Sequence, residues 1–148
     1  MLYTCSGNGG AIREVCSRRT GLPGHSTWRD MQMTLAQIAT LLDATVHCGE
    51  QMLDTEVVSA CGCDMMSDAL AFMKEQSVLL TGLVNPQVVR TAEMMDVSCV
   101  VFVRGKGPTD AMIELAVERN LILMSTGYRM FPACGILYSK GLSGGGKV

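Results

Sequence analysis

From Thr34 onward the apolar positions follow two alternating rhythms. Leu35, Ile38, Ala39 and Leu42 recur at i, i+3, i+4 and i+7, the spacing of one helical face. Thr34-Leu35-Ala36-Gln37 reads as a capping box, in which hydroxyl and amide satisfy each other's backbone N–H groups. A helix over about 34–43 is therefore predicted, followed by a brief strand near Thr45–His47 and a polar turn at 49–54. Apolar strand candidates then centre on Val57–Ala60, Val78–Leu80, Val100–Phe102 and Ile122–Met124. Their markers at 57, 79, 101 and 123 stand 22 residues apart, room for one strand, one helix and two loops.

Each gap carries helix signals. Asp64 or Ser67 can cap a helix holding Leu70, Phe72 and Met73. Asn85-Pro86 is an N-cap followed by proline at the first helical position, ahead of Val88, Val89, Ala92 and Met95. Pro108-Thr109-Asp110 opens a helix with Met112, Ile113, Leu115, Ala116 and Val117, and Asn120 suits its end. A last helix enters through Phe131-Pro132 and stops before Gly141. The strands are near-continuous apolar runs, as parallel strands covered on both faces require. The prediction is a single α/β domain, its mainly parallel sheet of four to five strands flanked by short helices.

Composition narrows the function classes. The 148 residues are 48% hydrophobic and 18% charged, a globular balance with room for one domain. Apolar runs end at five or six residues, so neither a membrane helix nor a secretory signal is expected. A net charge of −2 and 5% aromatic residues leave little footprint for nucleic acid. A cytoplasmic protein is expected. Charge is uneven, however: residues 1–30 carry +2, residues 31–140 carry −5 and Lys147 closes the sum. Residues 1–30 also hold five of the sixteen glycines and no apolar period. They read as a poorly ordered tail or a non-native extension ahead of Met31, with the domain over 31–140 and a flexible glycine-rich tail over 141–148.

Several stretches together carry a resemblance. They are the opening Thr34-Leu35-Ala36-Gln37-Ile38-Ala39, the run Cys63-Asp64-Met65-Met66-Ser67-Asp68, the spacing through Val100–Val117 and the segment Phe131 to Leu137. Over about 33–140 the chain resembles the DRTGG domain, which shows a Ser-Asp-x-x-Ser-Asp-like pattern at the second of these. The segment is also similar to the N-terminal domain of HPr kinase/phosphorylase. Such modules occur beside CBS domains in some pyrophosphatases, in phosphotransacetylases and as short stand-alone proteins. The resemblance implies a regulatory α/β module that forms a homodimer. The Asp-Arg pair that names the family would fall where this chain has Gly82-Leu83-Val84-Asn85-Pro86, and the Thr-Gly-Gly where it has Arg104-Gly105-Lys106-Gly107. The ATP-binding half of the kinase has no counterpart here, so no kinase activity and no cofactor are expected.

Other motifs carry less. Gly141 to Lys147 spells G-x-x-x-x-G-K, but a helix precedes it and Val148 stands where a hydroxyl is needed, so it is no nucleotide loop. The seven cysteines (5, 16, 48, 61, 63, 99 and 134) are an odd count and contain no C-x-x-C, which favours free thiols filling an aromatic-poor core. Cys61 and Cys63 share one strand face and could start a metal site with Cys48 or Cys99; no metal is expected. His25 and His47 read as isolated, and no nucleophile–base or carboxylate pair is visible. Of the pairs Met65-Met66 and Met94-Met95, one member should face the core and the other could serve association.

The best site argument is positional, because ligands of open parallel sheets lie outside the strands' carboxyl ends. Those ends carry Asp64, Ser67 and Asp68; Thr81, Gly82 and Asn85; Arg104, Gly105, Lys106 and Gly107; and Ser125 and Thr126. Two cations and two glycine turns suit a small anionic or nucleotide ligand. In this reading Arg104 and Lys106 supply positive charge, Thr81, Asn85, Ser125 and Thr126 add hydrogen bonds, and the aspartates limit the negative charge accepted. The first functional reading is a non-catalytic regulatory, ligand-binding and dimerisation module sensing a phosphorylated or nucleotide-like molecule. The alternative is an interaction subunit that docks on a partner enzyme through its Met-bearing helices and takes no small ligand.

Overall fold

The computed structural model describes residues 32–73 and 76–144. The readings of residues 1–30 as a tail, and of Gly146-Lys147 within a glycine tail, lie outside the described residues.

Three strands set the architecture. Ser77–Thr81 (β5) is buried at every position, as is Cys99–Phe102 (β6), and Ile122–Ser125 (β7) is buried at its first three. Only a strand covered on both faces can be buried throughout, and the buried residues accordingly form two clusters. Val78, Leu80, Val101, Val103, Ile122 and Met124 belong to one; Leu79, Val100, Phe102 and Leu123 belong to the other. The alternation is the period of two along a strand.

The chain runs Met33–Thr34 (β1), Leu35–Leu41 (α1), Thr45–Cys48 (β2), Glu56–Val57 (β3), Ser59–Gly62 (β4), Met66–Phe72 (α2), β5, Pro86–Met94 (α3), β6, Asp110–Glu118 (α4), β7 and Met130–Ser139 (α5). The main sheet has the order β2-β7-β6-β5-β4, with β4 to β7 parallel and β2 antiparallel at the edge. Ala69, Val88, Val89, Ala92, Met112 and Ala116 place α2, α3 and α4 on one face. Leu35, Ile38, Ala133 and Leu137 place α1 and α5 on the other. The domain is thus an α/β layer sandwich with one mostly parallel five-stranded sheet.

Local chemistry fixes the helix ends. The Thr34 N–H donates to Gln37 Oε1 at 3.0 Å and the Gln37 N–H to Thr34 Oγ1 at 3.3 Å, the capping box expected from the sequence. Asn85 caps α3 through the Gln87 N–H at 2.8 Å, with Pro86 first in the helix. Asn120 follows α4 at φ 52°, the left-handed turn that asparagine tolerates. The cap predicted for α2 differs. Met65 holds that position without a side-chain bond, because Asp64 turns toward the sheet instead.

Two further expectations change. The strand centred on Val57–Ala60 is two strands: β3 pairs antiparallel with β1, and the chain then bends into β4. The domain also runs past Lys140. Leu142 is buried in the core, the Ala60 N–H donates to the Ser143 carbonyl at 3.0 Å, and Ser59 and Ser143 form a parallel bridge. Leu142 thus fills the core while the backbone of Ser143 pairs with the edge strand β4. Leu142→Ala should therefore lower unfolding free energy in urea by about 2–4 kcal/mol, as emptying a core site does.

Candidate functional site

The carboxyl ends of β4 to β7 lie side by side, so the sheet delivers Asp64, Thr81, Gly82, Arg104 and Thr126 to one edge. All parallel crossovers use one face and strand order never reverses, so topology alone opens no crevice there. What stands at this edge is instead a clamp around one residue, Gly82.

Asp64 Oδ1 accepts the Gly82 N–H at 2.6 Å and the Thr81 hydroxyl at 3.2 Å, while Oδ2 takes the Arg104 guanidinium at 2.7 Å. On the other side of the same residue, the Lys106 ammonium donates to the Gly82 carbonyl at 2.9 Å. The guanidinium lies over the Gly82 Cα: a Cβ there would stand 2.8 Å from Nη1 and 2.9 Å from Cζ. Glycine is needed at 82 for that close approach. Chiefly through the Gly82 N–H, with help from Arg104 and Thr81, the Asp64 carboxyl is held below the usual aspartate range. The Asp64 and Arg104 side chains remain 43% and 45% exposed, so the ion pair itself contributes at most about 1 kcal/mol.

The turn after β6 is built for this role. Arg104 and Gly105 are consecutive left-handed residues, at φ 69° and 66°. Their N–H groups donate to the carbonyls of Tyr128 at 2.7 Å and Thr126 at 2.9 Å, stitching the turn to the end of β7. A non-glycine residue in the left-handed region costs on the order of 1 kcal/mol, a cost met where the surroundings over-determine it.

Several expected hydrogen-bonding side chains are already occupied within the protein. The buried Thr81 hydroxyl donates to Asp64 and accepts the Leu83 N–H, and Asn85 is a helix cap. The buried Thr126 hydroxyl donates to the Leu42 carbonyl at 2.5 Å and accepts the Tyr128 N–H at 3.2 Å. Ser67 and Asp68 lie exposed in the first turn of α2. Gly105 and Gly107 have open space around their Cα atoms, apart from the His47 ring beside Gly107. A cavity of about 250 Å³, lined by Leu42, Asp43, Thr126, Gly127 and Tyr128, adjoins the turn.

One pairing escaped the sequence reading. His47 Nε2 lies 2.7 Å from Ser125 Oγ. The β2–β7 register shifts between Val46 and Cys48, so His47 is the extra residue of a bulge that re-aims its side chain. The two positions are 78 apart, and a bulge leaves no mark in the apolar pattern. His47 is therefore not isolated, and a serine–histidine contact does exist. Among the described residues no carboxylate bonds to this histidine, the third group that would orient a catalytic base.

The described thiols are free and follow the core-filling reading, not that of a metal site shared with Cys48 or Cys99. Cys48 and Cys99 are buried in the core, while Cys61 has Cys63 and Cys134 as neighbours. Burial pushes the Cys48, Cys61, Cys99 and Cys134 thiols up, toward the neutral form. Among the described residues no group of three or more His, Cys, Asp or Glu side chains could hold a metal. No helix among them is long and apolar enough to cross a membrane.

No protein-family model matches this chain, and no curated protein matches it. Among solved structures it is similar to the CBS and DRTGG domains of the regulatory region of Clostridium perfringens pyrophosphatase, crystallised with the activator diadenosine tetraphosphate. The TM-score is 0.64 at 16% identity, covering 89% of this chain. The chain spans 57% of the length of that one. The likeness is one of fold, to a regulatory region rather than to a catalytic domain.

The lowered Asp64 pKa gives a pH signature. Its contribution to stability is full above the ordinary aspartate pKa of about 3.9 and is lost as pH falls through the depressed value. Asp64→Asn should melt below wild type at neutral pH, and the gap should narrow as the solution is acidified below about pH 4. Gly82→Ala should displace only the far end of the flexible Arg104 side chain. Carboxyl NMR titration should then show the Asp64 pKa moving up while the thermal midpoint changes by only a few degrees.

Proposed function

We propose that this chain is a non-catalytic, DRTGG-like regulatory module that binds a phosphorylated or nucleotide-like small molecule at the carboxyl edge of its parallel strands. The observation that carries the reading is the pair of cations, Arg104 and Lys106, gathered on one backbone segment beside Gly82. Both are exposed, so an anion can reach them from solvent. Charge-assisted bonds from guanidinium and ammonium groups are what phosphate recognition uses. Support from outside the site is the shared fold with a regulatory region solved with a nucleotide activator. That comparison bears on the DRTGG likeness and not on the one with HPr kinase/phosphorylase. In this reading the protein works in the cytoplasm as a homodimer, and its response passes to a partner enzyme.

A second reading, an interaction subunit without a small ligand, draws on the exposed apolar side chains. Met65, Leu70 and Phe72 of the α2 region and Met94 of α3 are 46–73% exposed, while Met66 and Met95 pack inward. Phe131 and Tyr138 add an exposed pair on α5. Patches of this kind serve association between chains.

Thermal shift separates the two readings. A panel of adenine nucleotides and sugar phosphates at millimolar concentration should include a member that raises the midpoint saturably. Arg104→Ala should abolish that shift and leave the free protein's midpoint within a few degrees of wild type. No shift with any member would favour the interaction subunit. Sedimentation at tens of micromolar should give a dimer mass, and a concentration-independent monomer would remove the homodimer from the reading.

A further inference from the structure

The strand-end site holds a contradiction that sharpens the reading above. Its strongest anion-binding group, the Arg104 guanidinium, is already bound to a carboxylate of the same chain. The carboxylate of Asp64 sits among three donors of different kinds: a guanidinium N–H at 2.7 Å, a backbone N–H at 2.6 Å and a hydroxyl at 3.2 Å. That is the set of contacts a phosphate oxygen or a substrate carboxylate receives in a binding site.

Resting on the proposed anion site, we infer that Asp64 occupies the place of the ligand's anionic group and is the residue that sets the site's affinity. An incoming phosphate takes Arg104 and the Gly82 N–H only by displacing the Asp64 carboxylate. Three features favour displacement over a fixed structural bridge. The pair is nearly half exposed on both sides, so water and ligand reach it. Asp64 is itself exposed ahead of α2 and is not that helix's cap, so its side chain can leave the sheet edge without unpacking a core residue or uncapping the helix. Among the described residues Lys106 bonds only to a neutral carbonyl, so it can add its charge to an arriving phosphate without losing an ion pair there. The ligand class follows: a terminal phosphate or diphosphate, whose charge exceeds that of the carboxylate it replaces.

Removing the competitor should therefore tighten binding, whereas a ligand-contacting aspartate would weaken it when neutralised. Calorimetric titration of the full chain with ADP, and separately with inorganic phosphate, tests this in wild type, Asp64→Asn, Asp64→Ser and Arg104→Ala. Asparagine keeps an oxygen for the Gly82 N–H, and melting curves identify any variant that fails to fold. Both Asp64 variants should bind roughly tenfold tighter than wild type, since the binding-competent population no longer competes with an internal anion. Arg104→Ala should bind neither probe. Equal or weaker binding by folded Asp64 variants, with Arg104→Ala still inactive, would overturn the role of Asp64 and leave the anion site standing. Binding that persists in Arg104→Ala, or is absent from wild type and both Asp64 variants, would remove the site itself.

Discussion

Everything in this domain follows from the need to cover both faces of β5, β6 and β7. Val78, Leu80, Val101, Val103, Ile122 and Met124 demand one layer of helices, and Leu79, Val100, Phe102 and Leu123 demand another. The crossover helices α2 to α4 supply the second layer because each must return the chain to the start of the next parallel strand. The first layer cannot come from crossovers of the same hand running in the same direction. It comes from the chain's two ends instead: α1 arrives before the parallel run and α5 after it. Leu142 completes that face, which is why the fold extends beyond the last helix.

The same arrangement creates the strand-end clamp. Parallel strands with neighbouring carboxyl ends bring the β4, β5 and β6 loops together, and three chemistries meet on the backbone of Gly82. Asp64 holds its N–H, Lys106 holds its carbonyl and Arg104 covers its missing side chain. Because the ion pair is half exposed, its net contribution to stability is small, and the cost of the left-handed Arg104 is of the same order. A nearly balanced contact is poor at holding a fold together and well suited to being exchanged for a ligand's charge.

Much of this was legible in the linear chain. The 22-residue beat, the capping box at Thr34 and the Asn85-Pro86 helix start depend on residues close in sequence, and the structure contains each of them. So does the gathering of Asp64, Gly82, Arg104 and Lys106 at one edge, since strand ends in a parallel sheet must lie on one side. What each side chain does there was not legible. Thr81 and Thr126 read as ligand contacts, yet their hydroxyls are buried and spent on Asp64 and Leu42. His47 read as isolated, yet a bulge turns it onto Ser125.

The sequence by itself determined the class of fold, the order of the helices and of the parallel strands, and the strip of surface where polar and charged loops accumulate. These rest on periodicity and on local capping, which act over a few residues. Only the tertiary structure decided that Asp64 leaves the helix it could cap, that Arg104 lies on a glycine, and that the two make a pair 40 positions apart. Such choices depend on donors from the loops after β5 and β6 meeting one carboxylate from the loop after β4. That meeting happens only once packing has brought the loops within hydrogen-bonding distance.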